Sequence, residues 1–204
     1  MKRAISVISA AILLSVLTGC KISGSINTTP EPVSSSEHTI VSSETILNDP
    51  SYLNISYETF LACIDIADSS AAAVYEAIKN TEPEKAGDWG WLKTCAFDDG
   101  TTFQIAYNKS DGNILFYMVT APGATTASEL VLMEAILQAE FGQTEGDTVL
   151  AELIANAVVS EETAQKTTDD GSIYGYSAGS KEENGFFVAA KESTLESLNK
   201  TMSN

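Results

Sequence analysis

The chain has 204 residues, with 28 acidic and 11 basic side chains and a formal net charge of −17. Such an excess of negative charge repels phosphate backbones and anionic headgroups, which excludes nucleic-acid binding and a charge-driven hold on a membrane surface. One histidine, His38, and three cysteines leave little material for histidine-based catalysis or a zinc site.

The first 20 residues run in a set order. Lys2 and Arg3 make a basic head, Ala4 to Val16 an apolar run, and Leu17-Thr18-Gly19-Cys20 a small-residue ending. The apolar run is too short for a permanent bilayer-spanning helix, so it reads as a removable signal over residues 1–19. An ordinary secretory site would show an Ala-x-Ala pattern; here Leu17, two small residues and Cys20 resemble the lipobox of bacterial lipoproteins. The resemblance implies cleavage before Cys20 and a thioether-linked diacylglycerol on its sulfur. Two acyl chains hold a protein stably, since each buried CH₂ contributes ~0.8 kcal/mol. Loss of residues 1–19 removes two positive charges and no acid, which takes the net charge from −17 to −19. The implied location is the extracytoplasmic face of a bacterial cell membrane, reached through the lipid.

Residues 20–50 are expected to form the acylated Cys and a flexible stalk. The stretch is rich in Ser, Thr, Pro and Glu, as in Thr28-Thr29-Pro30-Glu31-Pro32 and Ser34-Ser35-Ser36-Glu37, and cannot bury enough apolar surface to order itself. His38 falls inside it. A single globular domain is expected over residues 51–204, long enough for one core.

Within that domain, apolar residues recur every three and four positions from Tyr57 to Ile78, which predicts one helix from Ser56 to Lys79 with Ser56 as its cap. A three-stranded meander follows, Trp89–Phe97, Thr101–Asn108 and Asn113–Thr120, joined at Asp98-Asp99-Gly100 and Ser110-Asp111-Gly112. Thr126-Ala127-Ser128-Glu129 reads as a capping box for a helix through Phe141, with Leu130, Met133, Ile136 and Leu137 inward. Asp147 is expected to cap a further helix to about Ser160, with Leu150, Leu153, Ile154, Ala157 and Val158 inward. A polar stretch, Glu161 to Asp170, leads to a hairpin of Ser172–Ser177 and Phe186–Ala190, and Ser193 to Glu196 opens a short last helix. The predicted fold class is α+β, one antiparallel sheet (three-stranded meander plus a hairpin) packed against helices, in the order α-βββ-αα-ββ-α. Over most of residues 56–202 this order is similar to the type III secretion chaperone-like fold, α-βββ-α-ββ-α. The resemblance is topological and implies a protein-binding module of a kind that often dimerises.

Cys63 and Cys95 remain once Cys20 is acylated. Outside the cytoplasm they would either bridge, adding about 3–4 kcal/mol by closing their loop, or stay as two buried thiols. A bond is favoured, because Cys95 shares a strand face with Trp89, Trp91 and Phe97, where the first helix should pack.

Several catalytic signatures are present only in outline. Gly175-Tyr176-Ser177-Ala178-Gly179 matches the nucleophile-elbow pattern but has no histidine after it and lies in a hairpin, not a strand–turn–helix. Ser197-Leu198-Asn199-Lys200 matches S-x-x-K without the accompanying Lys-Thr-Gly. Acid pairs (Asp65 and Asp68, Asp98 and Asp99, Glu161 and Glu162, Asp169 and Asp170, Glu182 and Glu183) read as turns and solvated faces, with Asp68 set apart at the edge of an apolar stripe. None of the Asp/Asn-rich turns continues into a calcium loop, and no cofactor or metal motif is found. Trp89, Trp91, Tyr174 and Tyr176 are the candidates for stacking on cell-wall sugars. The expectation is therefore a lipid-anchored, non-catalytic module that binds a protein or wall component. The alternative is a glycan hydrolase using carboxylates around Asp88 and the Trp pair.

Overall fold

The computed structural model describes residues 41–42, 51–87, 89–123, 125–160, 163–180 and 183–202. The lipobox with Cys20, most of the expected stalk with His38, and Asp88, Glu161, Glu162 and Glu182 lie outside the described residues. The architecture is α+β: five helices and one antiparallel sheet of seven strands among the described residues.

The first helical stretch is two helices, not one. Helix α1 (Tyr57–Ala62) is capped by Ser56, whose side chain accepts from Thr59 N–H, as the spacing predicts. It stops at Cys63, and α2 (Ser69–Asn80) restarts with Asp68 as cap, accepting from Ser70 and Ala71 N–H. Asp65 likewise accepts from Ala67 N–H. Short carboxylates that bond nearby backbone amides compete with helical hydrogen bonds, so Asp65 and Asp68, three residues apart, break the helix between them.

Strands β1 (Glu84–Ala86), β2 (Gly90–Ala96), β3 (Thr102–Tyr107) and β4 (Ile114–Ala121) form a meander. The Gly100 and Gly112 turns are closed by Asp99 and Asp111, which accept from Thr101 and Asn113 N–H. Helices α3 (Ala127–Phe141) and α4 (Gln143–Ser160) follow. Gly142 separates them at φ 77°, a conformation that strains any residue with a Cβ, and α4 begins at once, so Asp147 lies inside a helix and does not cap it. Strands β5 (Ala164–Thr167), β6 (Ser172–Ser177) and β7 (Gly185–Lys191) form a second meander, and α5 (Glu192–Met202) ends the described chain. No described helix is long and apolar enough to cross a membrane.

The sheet order is β1-β2-β3-β4-β7-β6-β5. The two meanders join by antiparallel pairing of β4 and β7, from Phe116↔Ala190 to Ala121↔Gly185. Beyond the reach of β7, Ile114 exchanges backbone bonds with Leu53 and Ile55. The meander has a fourth strand, β1, and the polar stretch expected from Glu161 to Asp170 contains β5; Glu84-Lys85-Ala86 and Ala164-Gln165-Lys166-Thr167 carry no apolar alternation that would mark them. The observed order ααββββααβββα thus departs from the chaperone-like order.

Each sheet face has its own core. Helices α1 to α4 cover the first, where Phe60 meets Phe103 and Tyr117 at ring separations of 5.7 and 5.1 Å. All three rings are fully buried, each contributing about 1.5–3 kcal/mol of transfer free energy. The helix stripes are rotated slightly from expectation: Leu132 and Ala135 are buried, while Leu130 and Val158 are 38% and 62% exposed. The second face carries Trp89, Leu92, Ala106, Phe116, Met118 and Val188, covered by Leu195 and Leu198 of α5 and by Val41. Val41, inside the expected stalk, is only 3% exposed. Ser51 is tied to α5, its N–H donating to Thr194 Oγ1 at 3.1 Å and its carbonyl accepting from the same hydroxyl at 2.8 Å.

Candidate functional site

The four aromatic candidates do not form a platform. Trp89 precedes β2 and turns to the second face, 8% exposed, against Phe116. Trp91 lies within β2 on the opposite face, half-buried, with Lys109 Nζ 5.5 Å above its ring. The expected shared face for Trp89 and Trp91 fails because strand alternation does not extend back through the turn before Gly90. Tyr174 and Tyr176 are fully buried in the first core; the Tyr176 hydroxyl and Thr125 Oγ1 share a hydrogen bond of 2.9 Å. Trp89, Tyr174 and Tyr176 are thus enclosed in the cores and present no open ring face.

The expected bridge is not formed: Cys63 and Cys95 are both free thiols. Cys95 Sγ donates to Thr81 Oγ1 at 3.4 Å, just past the C-terminal end of α2. Cys63 instead lines a cleft beside Asp68, the cap at the other end of that helix. A 12-residue helix is about 18 Å long, and bridged residues need Cα atoms within about 7 Å.

The acid pairs resolve into separate roles. Asp68 is a helix cap. Asp99 accepts from the backbone N–H of Thr101 and of Ser128 at 3.0 Å each. Burial would push Asp99 up, but those donors and the Ser128 and Thr101 hydroxyls outweigh it and hold the carboxyl at about 2. Asp170 pairs with Lys191, which with the Thr168 hydroxyl holds it well below the usual carboxylate range. Ser177 ends a strand that enters a hairpin, so the G-x-S-x-G stretch makes no elbow. Among the described residues no group of three or more His, Cys, Asp or Glu side chains is placed to hold a metal ion.

The structure does gather polar groups at a cleft of 310 Å³ between the α1–α2 link and helix α3. Cys63, Asp65 and Asp68 line one wall, and Glu134 and Gln138 of α3 line the other, with Gln143 at one end. Gln138 Nε2 donates to Glu134 Oε1 at 3.0 Å and to Asp147 Oδ1 at 2.9 Å, holding two like charges together. Burial, then the charge of Asp147, and more weakly that of Asp65, push the Glu134 carboxyl up against the opposing Gln138 bond. Ile66, on the same link, is 61% exposed. Such a cleft can receive a cationic group, which would relieve the crowding of carboxylates, with an apolar contact beside it.

A second unusual group is Glu129, at the third position of α3 and fully buried. Among the described residues neither carboxylate oxygen has a hydrogen-bond partner. Burial pushes the group up to about 7, the nearby Thr126 N–H opposes this without reaching bonding geometry, and the Asp99 charge adds to it. The sequence marks Glu129 as a capping-box residue; its sealing by Gly185 depends on a hairpin more than fifty positions later and has no local signal.

Comparisons with protein-family models, with curated proteins and with solved structures find no match for this chain.

Proposed function

We propose that the chain is a lipid-anchored protein of the extracytoplasmic membrane face, held through Cys20, and that its α+β domain is a non-catalytic module binding a protein partner. The observation that carries the binding reading is the acid-lined cleft, whose walls Asp65, Asp68 and Glu134 share with Cys63. A basic side chain set beside an apolar one fits its charge and the exposed Ile66. A protein is favoured over a wall glycan because three of the four aromatic side chains that would stack on sugar are enclosed in the cores.

Two measurements test the reading separately. Metabolic labelling with a fatty-acid probe should mark the protein and fail to mark Cys20→Ala; an unmarked wild-type chain ends the anchor. A photo-crosslinker attached through the Cys63 thiol in intact cells should capture one discrete protein, and Glu134→Lys should reduce the yield about tenfold or more. Capture that is undiminished by Glu134→Lys would show that the cleft is not the binding site.

A further inference from the structure

Gln104 lies in the middle of β3 on the second sheet face, beside Ala106 and opposite Met118, and is 2% exposed. An amide buried on an apolar face is costly unless all its polar atoms are engaged. Here its Oε1 accepts from Val41 N–H at 2.8 Å, and its Nε2 donates to Val41 O at 3.0 Å and to Thr94 Oγ1 at 3.0 Å. One side chain thus reads both main-chain groups of a single residue 63 positions away, as a neighbouring strand would. The reading is blind to side-chain identity, while the apolar surroundings that hold Val41 at 3% exposure select an uncharged residue.

We propose that Gln104 and Thr94, with the apolar face around them, form a binding seat for an extended peptide segment bearing an uncharged β-branched residue. Val41 fills it in cis, and the corresponding segment of a protein partner displaces it. Three features support an exchangeable seat. The recognising groups belong to β2 and β3, whose backbones pair from Trp91↔Tyr107 to Ala96↔Thr102 without any contribution from Val41. The occupant belongs to the segment that joins the body to the proposed anchor. A seat that reads backbone accepts any extended chain, with side-chain size and charge setting the preference. The seat lies on the face opposite the acidic cleft, so it stands or falls independently of that site.

The test uses the full mature chain and a fluorescent peptide copying residues 37–45, Glu37 to Thr45. Val41→Pro removes the N–H that Gln104 accepts and vacates the seat. Fluorescence anisotropy should show the peptide binding to Val41→Pro about tenfold or more tightly than to the wild type, because a tethered occupant competes at high effective concentration. Binding should be lost when Gln104→Leu is added, and lost for a peptide with Asp in place of Val41. Circular dichroism shows whether each variant is folded. Should Val41→Pro fail to fold, a protease site inserted after Thr45 of the wild-type chain serves instead. After cutting, the released segment should be displaced by excess peptide in the wild type and not be retained at all with Gln104→Leu. Equal binding with and without Gln104→Leu, or no binding at millimolar peptide, overturns the proposal. A wild-type dimer that Gln104→Leu abolishes would place a second copy's Val41 in the seat and overturn the assignment to a different protein.

Discussion

A side chain on Gly185 and the carboxylate of Glu129 would claim the same space: a Cβ at residue 185 would fall 3.1 Å from Glu129 Oε1 and 3.2 Å from Gly179 N. The first residue of β7 therefore seals the buried acid at the start of α3. Gly185→Ala is expected to destabilise the domain by about 1–3 kcal/mol, the usual cost of overpacking a closed site. Adding Glu129→Ala should recover much of that loss, because it empties the contested space; urea unfolding of the single and double variants measures the coupling. Gly179→Ala should be worse and beyond rescue, since its Cβ would lie 1.6 Å from the Gly123 carbonyl oxygen.

The same acid shapes the dependence of stability on pH. Its ordinary value is 4.5 and burial raises it to about 7 in the folded protein. Below 4.5 the group is protonated folded or unfolded, and the native state keeps its full advantage. Between 4.5 and about 7 the unfolded chain ionises first, so stability falls; above about 7 the curve is level. The loss amounts to at most ~3 kcal/mol. Asp99 works in the opposite sense, its contribution present above 3.8 and lost as pH falls towards about 2. Stability is thus expected to peak in mild acid, near pH 4 to 4.5. Relief of general charge repulsion acts in the same direction, so the comparison that isolates Glu129 is Glu129→Gln, which should flatten the limb between 4.5 and about 7. An unchanged slope in this variant would mean that Glu129 does not titrate there.

What could be read from residue order alone was local. The turns at Gly100 and Gly112, the caps at Ser56 and Thr126, and strands β2, β3, β4, β6 and β7 all follow from short-range chemistry and alternation. What could not be read were the distant partners. Phe103, Ile105 and Tyr107 are recognisable as one face of β3, but the burial of Gln104 on the other depends on Val41 and on α5 closing over it. The pairing of β4 with β7 sets the two meanders into one sheet, and no turn signal announces it. The candidate site divides in the same way. Aromatic alternation at Tyr174 and Tyr176 marks core as readily as ligand contact. The cleft arises only when the break at Cys63–Asp68 is brought against α3.

Accessibility separates the two thiols. Cys63 is half-buried at the cleft, whereas Cys95 is 2% exposed. Burial pushes both above the ordinary thiol value, so labelling at neutral pH should be slow but selective. A maleimide should add once to the native chain acylated at Cys20, and a second time only after denaturation. Cys63→Ser should abolish the native reaction. A chain that takes no label even when denatured, and two labels once a reductant is added, would reinstate a bridge between the pair.

Lys93 is a buried cation in the middle of β2, 6% exposed. Its Nζ donates to Tyr57 Oη at 2.9 Å and to the carbonyl of Ile78 at 3.0 Å, and lies 5.0 Å from the Tyr57 ring centre. Ile78 is in the last turn of α2, where carbonyls lack helical partners, so the ammonium closes the helix end and joins it to the sheet and to α1. Burial lowers the group's proton affinity, against smaller opposing effects of Cys95 and Glu82. Lys93→Met keeps the apolar stem and removes the donor, leaving the Ile78 carbonyl buried without its cation. The expected loss is about 1.5–3 kcal/mol by urea unfolding. Tyr57→Phe should cost less, about 0.5–1.5 kcal/mol, because the ammonium retains the carbonyl and the ring. The pair of substitutions should be less than additive, since Tyr57→Phe has no bond left to break once the ammonium is gone. Strict additivity would mean that the two groups stabilise the domain through separate contacts.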